Sequence, residues 1–215
     1  MTSQRTRDRM LSRLREQGIK DEVTLSAMGE IPRHIFVDEA LATRAYEDVS
    51  LPIGFGQTIS QPYTVAKMTE TLRAGRPLGK VLEIGTGAGY LTALMGLQAK
   101  HVDSLELNSK LSAAAAKRIA AHKIKNVSLK VADGLAANEG SYDVIVLTGS
   151  LPVYPVEVER QLAVGGRMFV VVGDAPAMEA TLITRISSDN FKTDVLFETC
   201  LPAIVNAPQA EKFEF

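Results

Sequence analysis

Three acids and a run of glycines stand where a nucleotide-like ligand could be held. Gly85-Thr86-Gly87-Ala88-Gly89 follows the apolar run Val81-Leu82-Glu83-Ile84, with Glu83 two positions before the first glycine. Glycine lets backbone turn sharply and lets a ligand approach it closely. Glu106 lies 21 positions after Gly85, close to the ~20 expected of a carboxylate that grips ribose hydroxyls. Asp133-Gly134 follows a third strand-like run. No Lys-Ser/Thr pair follows the glycines, which excludes a P-loop. The spacing Gly-x-Gly-x-Gly also differs from the Gly-x-Gly-x-x-Gly of dinucleotide folds.

A second chemical feature lies upstream. Leu51 to Tyr63 holds two glycines and two prolines, which argues against a regular helix or strand. Yet it carries Leu51, Ile53, Phe55, Ile59 and Tyr63, with Thr58 and Ser60 between them. Apolar, irregular backbone with interspersed hydroxyls suits a loop wrapped around a ligand. A well-packed connecting loop is the competing reading. Ser60 is placed to cap a helix that has Pro62 in its first turn.

The elements that must position these groups follow from hydrophobic periodicity. Helices are predicted near 3–17 and 21–28, and again after Ser60, where Val65, Met68, Thr69 and Leu72 share a face. From Lys80 the chain alternates. Strands are predicted at 81–84, 102–106, 127–131, 143–147 and 168–172, with helices at 90–99, 109–122 and 155–162. Asn108 or Ser109 should cap the second of these helices, and Gly165-Gly166 should end the third. Continuous apolar strands alternating with helices imply a doubly wound, mostly parallel sheet of the α/β class. The stretches 181–187 and 193–199, joined by Ser188-Asp189-Asn190, read as a hairpin that ends the sheet antiparallel. The chain is expected to form one domain over 1–215. Its parts would be a helical extension and loop (1–79), the βα core (80–173) and a strand-and-tail segment (174–215).

Composition narrows the function classes. The chain has 215 residues, 46% hydrophobic and 23% charged, with a net charge of −1. That balance gives no electrostatic case for nucleic acid or an anionic membrane. Arg5, Arg7, Arg9, Arg13 and Arg15 read as a solvated helix face, since Asp8 and Glu16 interrupt them. The single cysteine, Cys200, forms no internal disulfide and reads as a buried, inert thiol. Charge throughout Met1 to Ile19 fits no signal peptide, and no apolar run reaches the ~18 residues of a membrane span. A soluble cytoplasmic protein is expected, with no membrane or nucleic-acid partner and acting as a monomer. His34, His101 and His122 fit no metal spacing, so no metal is expected.

The pattern Glu83-x-Gly85-x-Gly87-x-Gly89 resembles the first motif of the S-adenosylmethionine-dependent methyltransferases. The likeness implies that Glu83 lies near the methionine ammonium, Glu106 and Leu107 at the ribose, and Asp133-Gly134 at adenine. Gly85, Thr86, Gly87 and Gly89 would line the cofactor. Taken with Leu51 to Tyr63, Pro32-Arg33, Phe36-Val37-Asp38-Glu39-Ala40 and Ala45-Tyr46-Glu47-Asp48, the chain closely resembles the protein-L-isoaspartate O-methyltransferases. Gln161-Leu162, Gly165-Gly166-Arg167 and Val172-Gly173 continue the likeness.

The resemblance implies methylation of the α-carboxylate of L-isoaspartyl residues in damaged proteins and peptides, with S-adenosylhomocysteine as the other product. The methyl ester then closes to a succinimide, whose hydrolysis returns some normal aspartate. Ser60 matches the active-site serine of that family, with Ile53, Gly54, Thr58 and Ile59 beside it at the acceptor. Two stretches depart from the family. Thr148-Gly149-Ser150-Leu151-Pro152 stands where Thr-Ala-Ala and then a proline are common. Thr199-Cys200-Leu201-Pro202-Ala203-Ile204 replaces Val-Arg-Phe-Val-Pro-Leu. Both are expected on the peptide-binding side, which keeps two other readings open: a different carboxylate acceptor, or a module that binds the cofactor without catalysis.

Overall fold

The computed structural model describes residues 2–137 and 140–209. Its centre is a seven-stranded sheet ordered β5-β4-β3-β6-β7-β8-β9. Strands β3 (Lys80–Ile84), β4 (His101–Glu106), β5 (Val127–Val131), β6 (Tyr142–Leu151) and β7 (Leu162–Asp174) run parallel. Strands β8 (Ala177–Arg185) and β9 (Phe191–Thr199) run antiparallel to their neighbours. Val81, Leu82, Val102, Ile145, Val146 and Phe169 are fully buried, as expected of strands covered on both faces. The chain order reverses between β3 and β6, the kind of crevice where open α/β sheets bind ligands.

Helices α4 (Tyr90–Gly96) and α5 (Ser109–Ala121) cover the inner strands. Asn108 caps α5 by accepting the N–H groups of Lys110 and Leu111. Helices α1 (Thr2–Glu16), α2 (Glu22–Glu30) and α3 (Pro62–Arg73) form the amino-terminal layer. They bury Met10, Leu14, Leu25, Met28, Met68 and Leu72. Asp21 ties two of them together, because its Oδ2 caps α2 through Thr24 N–H and accepts from Arg73 Nε of α3 at 2.7 Å.

Three expectations are corrected, and the antiparallel end of the sheet is as expected. Leu51 to Tyr63 contains regular structure: β1 (Leu51–Gly54) and β2 (Gln57–Ile59) pair as a small antiparallel ribbon. A two-stranded ribbon has only edges, so Pro52 is tolerated, and Gly54 and Gly56 turn the chain at φ 90° and 72°. Helix α6 is a single turn, Val156–Glu159. Gly165-Gly166 does not end it but lies inside the long strand β7, where the register with β6 shifts. The expected hairpin is present as β8 and β9, and it ends the sheet antiparallel because β8 pairs back on β7. Cys200 is exposed rather than buried, because it lies past the end of the edge strand β9.

Candidate functional site

A cavity of about 330 Å3 opens at the carboxyl ends of the parallel strands. The glycine loop forms its floor. Gly85 and Gly87 line it with φ of 95° and 52°. A Cβ on Gly85 would run into the Thr148 hydroxyl, which donates to the Gly85 carbonyl at 2.6 Å. Gly89 does another job. It does not border the cavity, and a Cβ there would meet the Ala115 Cβ at 2.8 Å, so it lets α4 approach α5. That is the packing role of the third glycine in such loops.

The three acids stand on adjacent strands. Glu106 closes β4 and is almost buried, yet it borders the cavity. Its Oε2 accepts Gly87 N–H at 2.8 Å and its Oε1 accepts Asn108 N–H at 2.9 Å. Each oxygen keeps a lone pair for a ligand hydroxyl. Asp133 follows β5, its Oδ1 taken by Leu135 N–H at 3.0 Å and its Oδ2 by Asn206 Nδ2 at 3.1 Å. Gly134 packs on Ile84, where a Cβ would come within 2.6 Å of Cγ2.

Glu83 is fully buried in β3. Its Oε2 accepts from Thr92 Oγ1 and from Ser104 Oγ. Since Ser104 spends its only proton there, Thr86 Oγ1 donates to Ser104 at 2.6 Å. The Thr86 side chain is thus committed to the floor, leaving its backbone to face the cavity. Among the described residues Glu83 Oε1 has no partner. Burial pushes the Glu83 carboxyl up to about 8, against the two hydroxyl donors that lower it, with the charge of Glu106 adding to the rise.

The fold therefore holds a proton on Glu83 between about pH 4.5 and 8 that the unfolded chain has lost. Stability falls as pH rises through that window. The expected result is a melting temperature, measured without ligand, that declines more steeply from pH 5 to 8.5 in the parent than in Glu83→Gln. Equal slopes would refute the assignment.

The ribbon forms the cavity's opposite wall. Thr58, Ile59 and Ser60 line it, whereas Ile53 and Gly54 do not. Ile53 rests on the glycine loop instead, 3.3 Å from where a Cβ on Gly87 would be. Phe55 stands at the ribbon tip, exposed, with φ 55° and with Lys110 Nζ 5.8 Å from its ring centre. Ser60 is not a helix cap. Gln61 takes the N-cap position of α3 without a side-chain bond, and the Asp48 carboxylate accepts Tyr63 N–H at 2.9 Å. The Ser60 hydroxyl is left free of any bond to a described residue while bordering the cavity.

The two stretches that depart from the family pattern both reach the cavity. Thr148 and Gly149 reach the cavity from β6, and Pro202, Ala203, Ile204 and Val205 close it from the tail. Pro152, expected beside them, does not line it. His34 lies elsewhere, its Nδ1 2.8 Å from the Tyr46 hydroxyl.

A glycine loop over parallel strand ends, with acids on three neighbouring strands, defines a Rossmann-like methyltransferase. The family model described as Protein-L-isoaspartate(D-aspartate) O-methyltransferase (PCMT) matches residues 5–206. A protein-L-isoaspartate O-methyltransferase of Methylobacillus flagellatus is 58% identical over 175 residues, covering 80% of this chain and 78% of that one. Another, from Nitrosomonas eutropha, is 46% identical over 212 residues, 96% of each chain. The fold matches a Plasmodium falciparum structure described as such an enzyme with S-adenosyl-L-homocysteine bound. Its TM-score is 0.80 at 23% identity, over 90% of this chain and 95% of that one. The chain belongs to the protein-L-isoaspartate(D-aspartate) O-methyltransferase family.

Proposed function

We propose that this protein transfers a methyl group from S-adenosylmethionine to the α-carboxylate of L-isoaspartyl residues in proteins and peptides. The observation that carries this reading is Ser60, whose hydroxyl bonds to no described residue, lining a cavity whose other wall is the glycine loop and Glu106. The residues fit the cofactor. Gly85 and Gly87 leave room for close approach, Glu106 keeps lone pairs for ribose hydroxyls, and Glu83 Oε1, the oxygen left to carry the proton, would accept from an ammonium once that positive charge drives the proton off. Asp133 sits on the next strand out, the purine end of the same row.

The bound cofactor supplies an electrophilic methyl group on sulfur. The chain's residues do the rest by placement. An α-carboxylate is ionised at pH 7, since its ordinary pKa is about 3.5, so no general base is required. Ser60 donates a hydrogen bond to one carboxylate oxygen and leaves the other free to attack. Ile59 and Phe55 exclude water around it, which removes the hydration that would blunt the nucleophile. Orientation of this kind supplies up to about 7–11 kcal/mol in favourable systems.

The deciding assay uses one peptide in aspartyl and isoaspartyl forms with a methyl-labelled cofactor. Label on the isoaspartyl form alone supports the proposal. Label on both forms points to another acceptor rule, and label on neither sinks it. Glu106→Ala should weaken S-adenosylmethionine binding at least tenfold, and unchanged affinity by calorimetry would remove its ribose role.

The setting proposed is a cytoplasmic monomer acting as one domain. Its exposed free Cys200 suits a reducing compartment. The larger of two apolar clusters runs from Met10 to Leu201, and the second draws on strands of the same sheet, which supports the single domain. Among the described residues no helix is long and apolar enough to cross a membrane.

A further inference from the structure

The stretch 201–206 is strapped across the cavity at two points. Around Ser150, its N–H donates to Pro202 O at 3.0 Å, its Oγ to Leu201 O at 3.1 Å, and its carbonyl accepts Ile204 N–H at 2.9 Å. The second point is Asn206, whose Nδ2 donates to Asp133 Oδ2 at 3.1 Å. Asn206 has φ 66°, in the left-handed region. Gly, Asn and Asp adopt that region with least strain. Of these, only Asn can both hold the backbone and donate a side-chain hydrogen bond, since Gly has no side chain and ionised Asp only accepts. The position thus demands the one residue that satisfies both conditions.

Asp133 borders the cavity, and Asn206 does not. With Leu135 N–H on Oδ1 and Asn206 on Oδ2, the carboxylate is pinned at both oxygens. Each oxygen still has a lone pair to offer. We propose that Asn206 is a positioning residue for the purine end of the cofactor: it fixes Asp133 so that a free lone pair meets the purine 6-amino group. The inference rests on the cofactor reading above and extends it to the tail. It makes the tail a determinant of which nucleoside is accepted, in addition to a wall of the cavity.

The test is calorimetric binding of S-adenosylhomocysteine and of its analogue lacking the purine 6-amino group. Asn206→Asp and Asn206→Gly both keep φ 66° accessible while removing the donor. The parent should prefer the amino form by about tenfold, the scale of one hydrogen bond to a charged group. Both variants should lose most of that preference, with affinity for the analogue within about twofold of the parent. Asn206→Asp should be the worse of the two, because it sets a second carboxylate against Asp133. Equal weakening of both ligands would reduce Asn206 to a structural fastener and overturn the proposal, as would an intact preference. A parent that binds neither ligand defeats the cofactor reading itself, and the proposal with it. A parent that binds both equally defeats only the proposal.

Discussion

Ser60→Ala lowers turnover of an isoaspartyl peptide at least tenfold while cofactor affinity stays within about twofold; that is the expected result, and the structure sharpens why. A serine at a helix start usually stabilises the helix by ~1 kcal/mol, and its loss would then mix folding with chemistry. Here Asp48 takes the Tyr63 N–H and Gln61 holds the N-cap position, so no hydrogen bond to a described residue ties the Ser60 hydroxyl into the fold. The substitution should leave the melting temperature nearly unmoved. Tenfold corresponds to about 1.4 kcal/mol of transition-state stabilisation, a floor beneath the ~2.7–4 kcal/mol that one lost donor to a developing oxyanion costs. A variant with full turnover would take the serine out of the mechanism. A variant with a much lower melting temperature would return it to the fold.

Gly149→Ala should be more disruptive than its single methyl suggests. A Cβ there would lie 2.7 Å from Pro202 O, 2.9 Å from Ile204 Cγ1 and 3.2 Å from Ile204 N. Two of these are backbone atoms of the strap and cannot rotate away. The strap must lift, or β6 must shift. Overpacking of this kind costs about 1–3 kcal/mol, which for a chain of this size lowers the melting temperature by about 2–4 °C per kcal/mol. Lifting the strap also takes Pro202 to Val205 out of the cavity wall, so cofactor affinity should fall at least tenfold. Calorimetry and a thermal melt on the same preparation check both halves. Unchanged affinity would show that the strap is not part of the binding wall.

This explains two departures from the family pattern as one. Gly149-Ser150 in place of Ala-Ala, and Leu201-Pro202-Ala203-Ile204 in place of Phe-Val-Pro-Leu, lie far apart in sequence yet touch in the fold. The glycine makes room for the strap and the serine bonds it. Separately each looks like a loss of family character. Together they form one contact at the edge of the cavity.

The inner strands were legible because strands buried on both faces read as continuous apolar runs, as in Asp143 to Leu147. The glycine loop and Glu106 were legible because their spacing is set by the strand–turn–helix unit itself. What stayed hidden has a common cause. Gly165-Gly166 looks like a helix stop, but a strand that shifts register uses glycine as well. Pro52 argued against a strand, a rule that applies to central strands and not to a two-stranded ribbon. The relay Thr86–Ser104–Glu83–Thr92 and the pair Asn206–Asp133 depend on side chains brought together from separate elements. No local pattern announces such pairs.

The cavity wall draws on residues from Phe55 to Val205. During synthesis the amino-terminal helices and the strands β3 to β5 leave the ribosome first. The glycine loop and all three acids are therefore translated before the last wall, Pro202 to Val205. A nascent chain halted before Pro202 has a trough where the finished protein has an enclosed site. Cofactor capture should consequently be absent from such stalled chains even when their inner sheet has formed, so that binding reports on how far translation has gone as well as on folding.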